Sequence, residues 1–92
     1  MTSLELASKA AAFLDSKKAE RLSVIEIENI SSLADYFVIA TGNNNTHVRA
    51  LADELEEKLK AEGLPPARVE GYRSNSWILL DWGSVVIHIF TQ

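Results

Sequence analysis

The chain has 92 residues, 47% of them hydrophobic, and no cysteine. This length and composition predict a single globular domain over residues 1–92. The lack of cysteine excludes disulfides, a thiolate nucleophile and cysteine-based metal centres, and it fits a reducing compartment. The formal net charge of -4 works against tight, sequence-independent binding to a phosphate backbone and is compatible with a basic protein partner.

The N-terminal segment lacks the features of a targeting peptide. It contains Glu5 and Asp15 and has no continuous apolar stretch, so it reads as part of the fold. No apolar run approaches the roughly 18 residues that a membrane-spanning helix needs. We therefore expect a cytoplasmic protein without a membrane partner.

The chain begins with a predicted helix over residues 3 to about 19. Thr2 and Glu5 match a capping box at its start. Its apolar stripe recurs at helical spacing and comprises Leu4, Ala7, Ala11 and Leu14.

Two strands follow this helix. Apolar and acidic residues alternate within segment 22–28, which places Ile25 and Ile27 on one face of a strand and acidic side chains on the other. After a turn-like break over residues 29–32, segment 35–41 has apolar residues at both its odd and its even positions, so both faces of the predicted strand are apolar. This pattern predicts a central strand covered on both faces.

The pattern changes to helical from about Asn45 to near Glu62. The apolar positions are Val48, Leu51, Ala52, Leu55 and Leu59. Two ion pairs at i,i+4 are expected, Glu54 with Lys58 and Glu56 with Lys60, and Gly63 is the expected C-cap.

The last third predicts a short edge strand over 68–71, a polar loop over 72–75, and strands over 76–81 and 85–91 joined around residues 82–84. The order is αββαβββ. We predict a fold of the α+β type: a mixed sheet with both helices on one or both faces.

No catalytic motif stands out. A strand-turn-helix nucleophile elbow is absent, and residues 41–44 fit a helix N-cap better than an anion site. His47 and His88 lie far apart in sequence, so no metal site is expected. We expect His47 to be a helix-terminal residue, and His88 to be half-buried and bonded to a neighbouring strand or carboxylate.

Asp35 and Asp81 could converge from neighbouring strands, as the metal-binding acids of nucleotidyl transfer do. No D-x-D pair supports this, so a surface or cap role is preferred for both.

The segment from Trp77 to Trp82 carries the strongest binding signal. Trp77, Leu79 and Asp81 share one face of a strand, whereas Ile78, Leu80 and Trp82 share the other. With only two helices to cover the sheet, one apolar face is expected to stay exposed as a docking surface. The alternative is that Trp77 completes the core.

An ordered set of motifs resembles the ribosomal silencing factor family, also called Iojap. These are D-Y-F-V-I-A-T-G at 35–42, H-V at 47–48, A-D at 52–53, V-E-G at 69–71, W-x-x-x-D at 77–81, Gly83 and V-V-I-H-I-F at 85–90. The match spans residues 4–91 without a gap. Asn44, Thr46 and Ser84 depart from the usual residues of the family.

The resemblance implies a nucleotidyltransferase-like mixed sheet without the catalytic motif, no enzymatic activity and no cofactor. It implies binding to ribosomal protein L14 of the large subunit, which blocks joining of the small subunit and slows translation under nutrient limitation. The implied contact residues are Glu70, Trp77, Asp81 and His88, with Asp35, Tyr36 and His47 as secondary candidates. Glu70 and Asp81 would pair with basic side chains, Trp77 would be the apolar anchor, and Trp82 is assigned to the core.

Relatives continue into an acidic and aromatic tail, which we expect to be lacking here. A homodimer off the ribosome remains an option. Two other functions stay open: a divergent nucleotidyltransferase using Asp35 and Asp81, and an RNA-binding module.

Overall fold

The computed structural model describes residues 1–30, 32–74 and 76–92. Within these ranges the helices are α1 (Ser3–Ser16) and α2 (Asn45–Ala61). The strands are β1 (Glu20–Glu26), β2 (Tyr36–Gly42), β3 (Arg68–Glu70), β4 (Trp77–Asp81) and β5 (Val85–Thr91). The predicted order of elements and the α+β class are confirmed.

The five strands form one mixed sheet in the order β1-β2-β5-β4-β3. Strands β2 and β5 run parallel, with Phe37 opposite Val86, and every other neighbouring pair is antiparallel. In the β4–β5 pair Leu79 lies opposite His88. This register decides which side chains of distant segments become neighbours on each face.

Both helices pack on the same face of the sheet. Helix α1 contacts β1, β2 and β5, and α2 contacts β2, β4 and β5. The strand residues that face the helices are buried: Tyr36, Val38, Ala40, Ile78, Leu80, Val85, Ile87 and Ile89. The prediction that β2 is covered on both faces is wrong, because Phe37, Ile39 and Thr41 on the opposite parity stay partly exposed.

The other face of the sheet is therefore uncovered, as the shortage of helices predicted. We call it the open face. By strand alternation and register it includes Ser23, Ile25, Phe37, Ile39, Thr41, Arg68, Glu70, Trp77, Leu79, Asp81, Val86, His88 and Phe90.

Helix α1 is shorter than predicted and rotated from the predicted stripe. It ends at Ser16, and the Thr2–Glu5 capping box is present. Its buried residues are Leu6, Ala7, Ala10 and Leu14. Leu4 is 53% exposed, because it lies two residues from Leu6 and thus about 200° around the helix.

Strand β1 lies two residues earlier than predicted. A register irregularity between Glu20 and Ser23, with Arg21 at φ 49°, bends this edge strand. Ile25, predicted to share a face with Ile27 opposite the acidic side chains, is 42% exposed on the open face. Ile27 is buried beyond the end of the strand.

Helix α2 matches its predicted bounds and buries all five predicted apolar residues. The Glu56–Lys60 pair is present at 3.4 Å. The predicted Glu54–Lys58 pair is wrong, because Glu54 pairs with Lys17 and Lys58 with Glu62. The predicted turn over 29–32 and loop over 72–75 each include a residue outside the described ranges, and their described parts contain turns.

Candidate functional site

An aromatic cluster lies on the open face, formed by Phe37 of β2, Trp77 of β4, and His88 and Phe90 of β5. The Trp77 ring centroid is 6.1 Å from that of His88 and 6.2 Å from that of Phe90, and each pair is stacked. Phe37 meets the edge of His88 at 5.2 Å. Trp77 is 39% exposed and Phe90 37% exposed, so the cluster presents aromatic surface to solvent.

His88 joins this cluster by a hydrogen bond as well as by stacking. Trp77 Nε1 donates to His88 Nδ1 at 3.3 Å, so Nδ1 carries no proton in this arrangement. Burial lowers the pKa of His88 below its ordinary value. The predicted half-buried histidine bonded to a neighbouring strand is confirmed, and the lowered pKa favours its neutral form.

A cleft of about 320 Å³ opens beside the aromatic cluster. Its lining is largely apolar and carries one pair of opposite charges. The lining residues are Leu33, Ala34, Phe37, Arg68, Leu79, Asp81, Val86 and His88. This volume is at the small end of the range that holds compact ligands, and it suits an inserted partner side chain.

Charged side chains form one rim of the cleft. Arg68 Nε lies 3.3 Å from Glu70 Oε2, and Arg68 Nη2 lies 3.5 Å from Asp81 Oδ2. Asp81 Oδ1 accepts a hydrogen bond from the backbone N–H of Gly83 at 2.7 Å. Asp81 thus closes the turn between β4 and β5 through Oδ1, and its second oxygen lies toward Arg68.

The structure thus brings four predicted contact residues, Glu70, Trp77, Asp81 and His88, onto one face. The other three candidates lie elsewhere. Asp35 precedes β2, where its carboxylate accepts a hydrogen bond from Ser3 Oγ at 2.5 Å.

Tyr36 is buried on the helix side, and its hydroxyl donates to Glu26 at 3.1 Å. Burial, followed by this bond, raises the pKa of Tyr36. His47 accepts the backbone N–H of Asn43 on Nδ1 and lies 3.0 Å from the Lys17 carbonyl through Nε2. His47 is therefore the predicted helix-terminal residue.

The assignment of Trp82 to the core is supported. It is partly buried against the core cluster, and its Nε1 donates to the Leu64 carbonyl at 2.9 Å. The two tryptophans thus lie on opposite faces of the sheet, as their parity predicted.

Several residues of the site were not singled out from the sequence. Phe90 and Phe37 share the open face with His88, and strand parity together with strand order would have found them. Leu33, 85% exposed beside the cleft, lies in a loop whose path no periodic pattern predicts.

Within residues 1–30, 32–74 and 76–92, no group of three or more His, Asp or Glu side chains is arranged to hold a metal ion. Neither of the two described helices is long and apolar enough to span a membrane.

A mixed sheet with both helices on one face and an aromatic, cleft-bearing face left open defines a small α+β protein with a surface of the docking type. The chain belongs to the ribosomal silencing factor family: the family model described as "Ribosomal silencing factor during starvation" matches residues 1–92. The resemblance stated from sequence motifs is thereby confirmed.

Individual relatives agree with this assignment. A ribosomal silencing factor of Halalkalibacterium halodurans is 39% identical over 90 residues, which are 98% of this chain and 77% of that protein. A crystal structure of a Chromobacterium violaceum protein matches with a TM-score of 0.94 and 32% identity over 99% of this chain and 76% of that chain. A mouse protein named "Mitochondrial assembly of ribosomal large subunit protein 1" is 30% identical over 79 residues, 83% of this chain and 35% of the mouse protein.

Proposed function

We propose that this chain silences ribosomes by binding ribosomal protein L14 of the large subunit through its open face. The bound chain then stands between the subunits, blocks their association and represses translation under nutrient limitation. It acts in the cytoplasm, without catalysis. The observation that carries the proposal is the uncovered aromatic face in a member of a family named for silencing ribosomes. The name of the mouse relative supports the large subunit as the partner.

The composition of the open face suits a protein partner. Tryptophan is the residue type most enriched at binding hot spots, and Trp77 lies beside a cleft that an apolar side chain of the partner fills. Glu70 and Asp81 at the rim offer carboxylates to basic side chains. A net charge of -4 favours encounter with a basic ribosomal protein.

Trp77→Ala tests this proposal most simply. Loss of the anchor weakens binding to isolated L14 by about 2 kcal/mol or more, roughly thirtyfold in Kd. Isothermal titration calorimetry measures the affinity, and circular dichroism checks that the variant is folded.

The matched control is Leu4→Ala, which truncates a side chain that is also exposed (53%) but lies on α1, in the helix layer. We expect it to leave the affinity unchanged. A folded Trp77→Ala variant that binds L14 as tightly as the unmodified chain would remove Trp77 from the interface. Failure to bind L14, together with an rRNA affinity that falls steeply with salt, would favour the RNA-binding alternative.

A further inference from the structure

Arg68 connects the two acidic residues of the cleft rim. It lies on β3 directly opposite Asp81 of β4, and Glu70 is two residues along the same strand. Its guanidinium approaches Glu70 at 3.3 Å and Asp81 at 3.5 Å. The Arg68 side chain is 61% exposed, so it is free to swing into solvent without disturbing the core.

The two carboxylate oxygens of Asp81 have different partners. Oδ1 accepts a hydrogen bond from the Gly83 N–H in the turn between β4 and β5, which leaves Oδ2 for other partners. Oδ2 is the oxygen that Arg68 approaches. A basic side chain that arrives at the cleft therefore finds Oδ2 of Asp81 and the carboxylate of Glu70 already paired with Arg68.

We propose that Arg68 is an internal competitor: it occupies the position of a partner's guanidinium and must be displaced before Asp81 and Glu70 pair across the interface. This rests on the proposed function, because it takes the partner to be basic. Displacement is inexpensive, since exposed ion pairs are weak and screened by salt. Arg68 therefore reduces affinity modestly and disfavours partners that lack a cation to replace it.

The position of the Arg68 guanidinium between Glu70 and Asp81 also indicates which basic side chain of the partner would replace it. The planar guanidinium of an arginine is wide enough to lie against two carboxylates at once, as that of Arg68 does with Glu70 and Asp81, whereas a lysine presents a single compact charge. The inference is therefore that the complementary group of the partner is an arginine seated where the Arg68 guanidinium lies in the free chain.

Arg68→Gln tests the proposal in calorimetric titrations with isolated L14 at low ionic strength. We expect binding about two- to fivefold tighter than that of the unmodified chain, with the gain shrinking as salt is added. The control is Lys60→Gln, which removes one positive charge from the exposed Glu56–Lys60 pair on α2 and makes the same change in net charge. Where the unmodified chain binds L14, unchanged or weaker binding by Arg68→Gln, or an equal gain for Lys60→Gln, would overturn the proposal.

A second probe separates failure of this inference from failure of the proposed function. An arginine-rich peptide is titrated into both chains, and NMR shifts of the Glu70 and Asp81 backbone amides are followed. Tighter peptide binding by Arg68→Gln at these amides supports displacement even where neither chain binds L14, an outcome that rejects only the proposed partner. Equal peptide binding by the two chains, with no gain on L14, rejects displacement.

Discussion

His88 makes the aromatic cluster sensitive to pH. Burial holds its pKa in the folded chain below the value of about 6.5 expected in the unfolded chain. As the pH falls below about 6.5 the unfolded chain takes up the proton first, so the folded state loses stability until the pH passes the lower, folded pKa. Protonation also places a hydrogen on Nδ1, where Trp77 Nε1 now donates.

We therefore expect the stability of the unmodified chain to fall relative to that of His88→Gln between pH 7.5 and pH 5. Glutamine keeps an acceptor for Trp77 and does not titrate. Urea unfolding at a series of pH values measures the difference in free energy of unfolding. A difference that stays constant across this range would show that His88 is not responsible.

Gly71 has a backbone conformation and a packing environment that exclude a side chain. Its φ is 94°, and a Cβ would lie 2.0 Å from the Trp77 carbonyl oxygen. We predict that Gly71→Ala lowers the free energy of unfolding by about 2–4 kcal/mol, because the strand start at Trp77 must shift. Gly63→Ala, at φ 80° with no atom within 4 Å, isolates the backbone strain and costs about 1 kcal/mol. Equal losses in urea unfolding would exclude the steric contribution.

The sequence predicted the positions of some residues of the site but not of others. Strand parity separated Trp77 from Trp82 because side chains alternate along β4. The Arg68–Asp81 contact was not predicted, because it depends on the register of a three-residue strand that no pattern fixes. Tyr36 was carried over from a motif alone, and its parity places it on the helix side of the sheet.

At the scale of elements, α2 was predicted well and α1 poorly, for one physical reason. The polar face of α2 is strongly charged, so only one stripe is able to face the core. In α1 alanines occur on several sides, and the choice between Leu4 and Leu6 depends on how the helix docks. Likewise the apolar pattern of β2 is that of a doubly covered strand, although only one of its faces is covered by helices and the other belongs to the partly exposed open face.

Helix α1 supplies a direct check of its corrected orientation. Leu14 is fully buried, and we predict that Leu14→Ala lowers the free energy of unfolding by about 3 kcal/mol through lost burial and a residual cavity. Leu4→Ala removes an exposed side chain and changes it by less than about 0.5 kcal/mol. Urea unfolding of both variants measures this difference. A large loss in the free energy of unfolding for Leu4→Ala would show that Leu4 faces the core, as the sequence predicted.

At the scale of the whole molecule, the fold divides two tasks between the faces of one sheet. The helix side holds the core that stabilises the chain, and the open face is the surface that we propose for the partner. The number of predicted helices and the alternation of side chains along β4 predicted this division, because two helices leave one face of the sheet bare. Which side chains build the cleft was not predicted, since the cleft forms from four separate segments that meet only in the folded chain.

The central claim is that the chain keeps ribosomal subunits apart by occupying L14. The most direct measurement mixes purified small and large subunits with the chain and follows subunit joining by light scattering, with Trp77→Ala and Leu4→Ala run in parallel. The claim predicts that joining falls with the unmodified chain and with Leu4→Ala, and recovers with Trp77→Ala. Undiminished joining at micromolar concentrations of the folded, unmodified chain would contradict it.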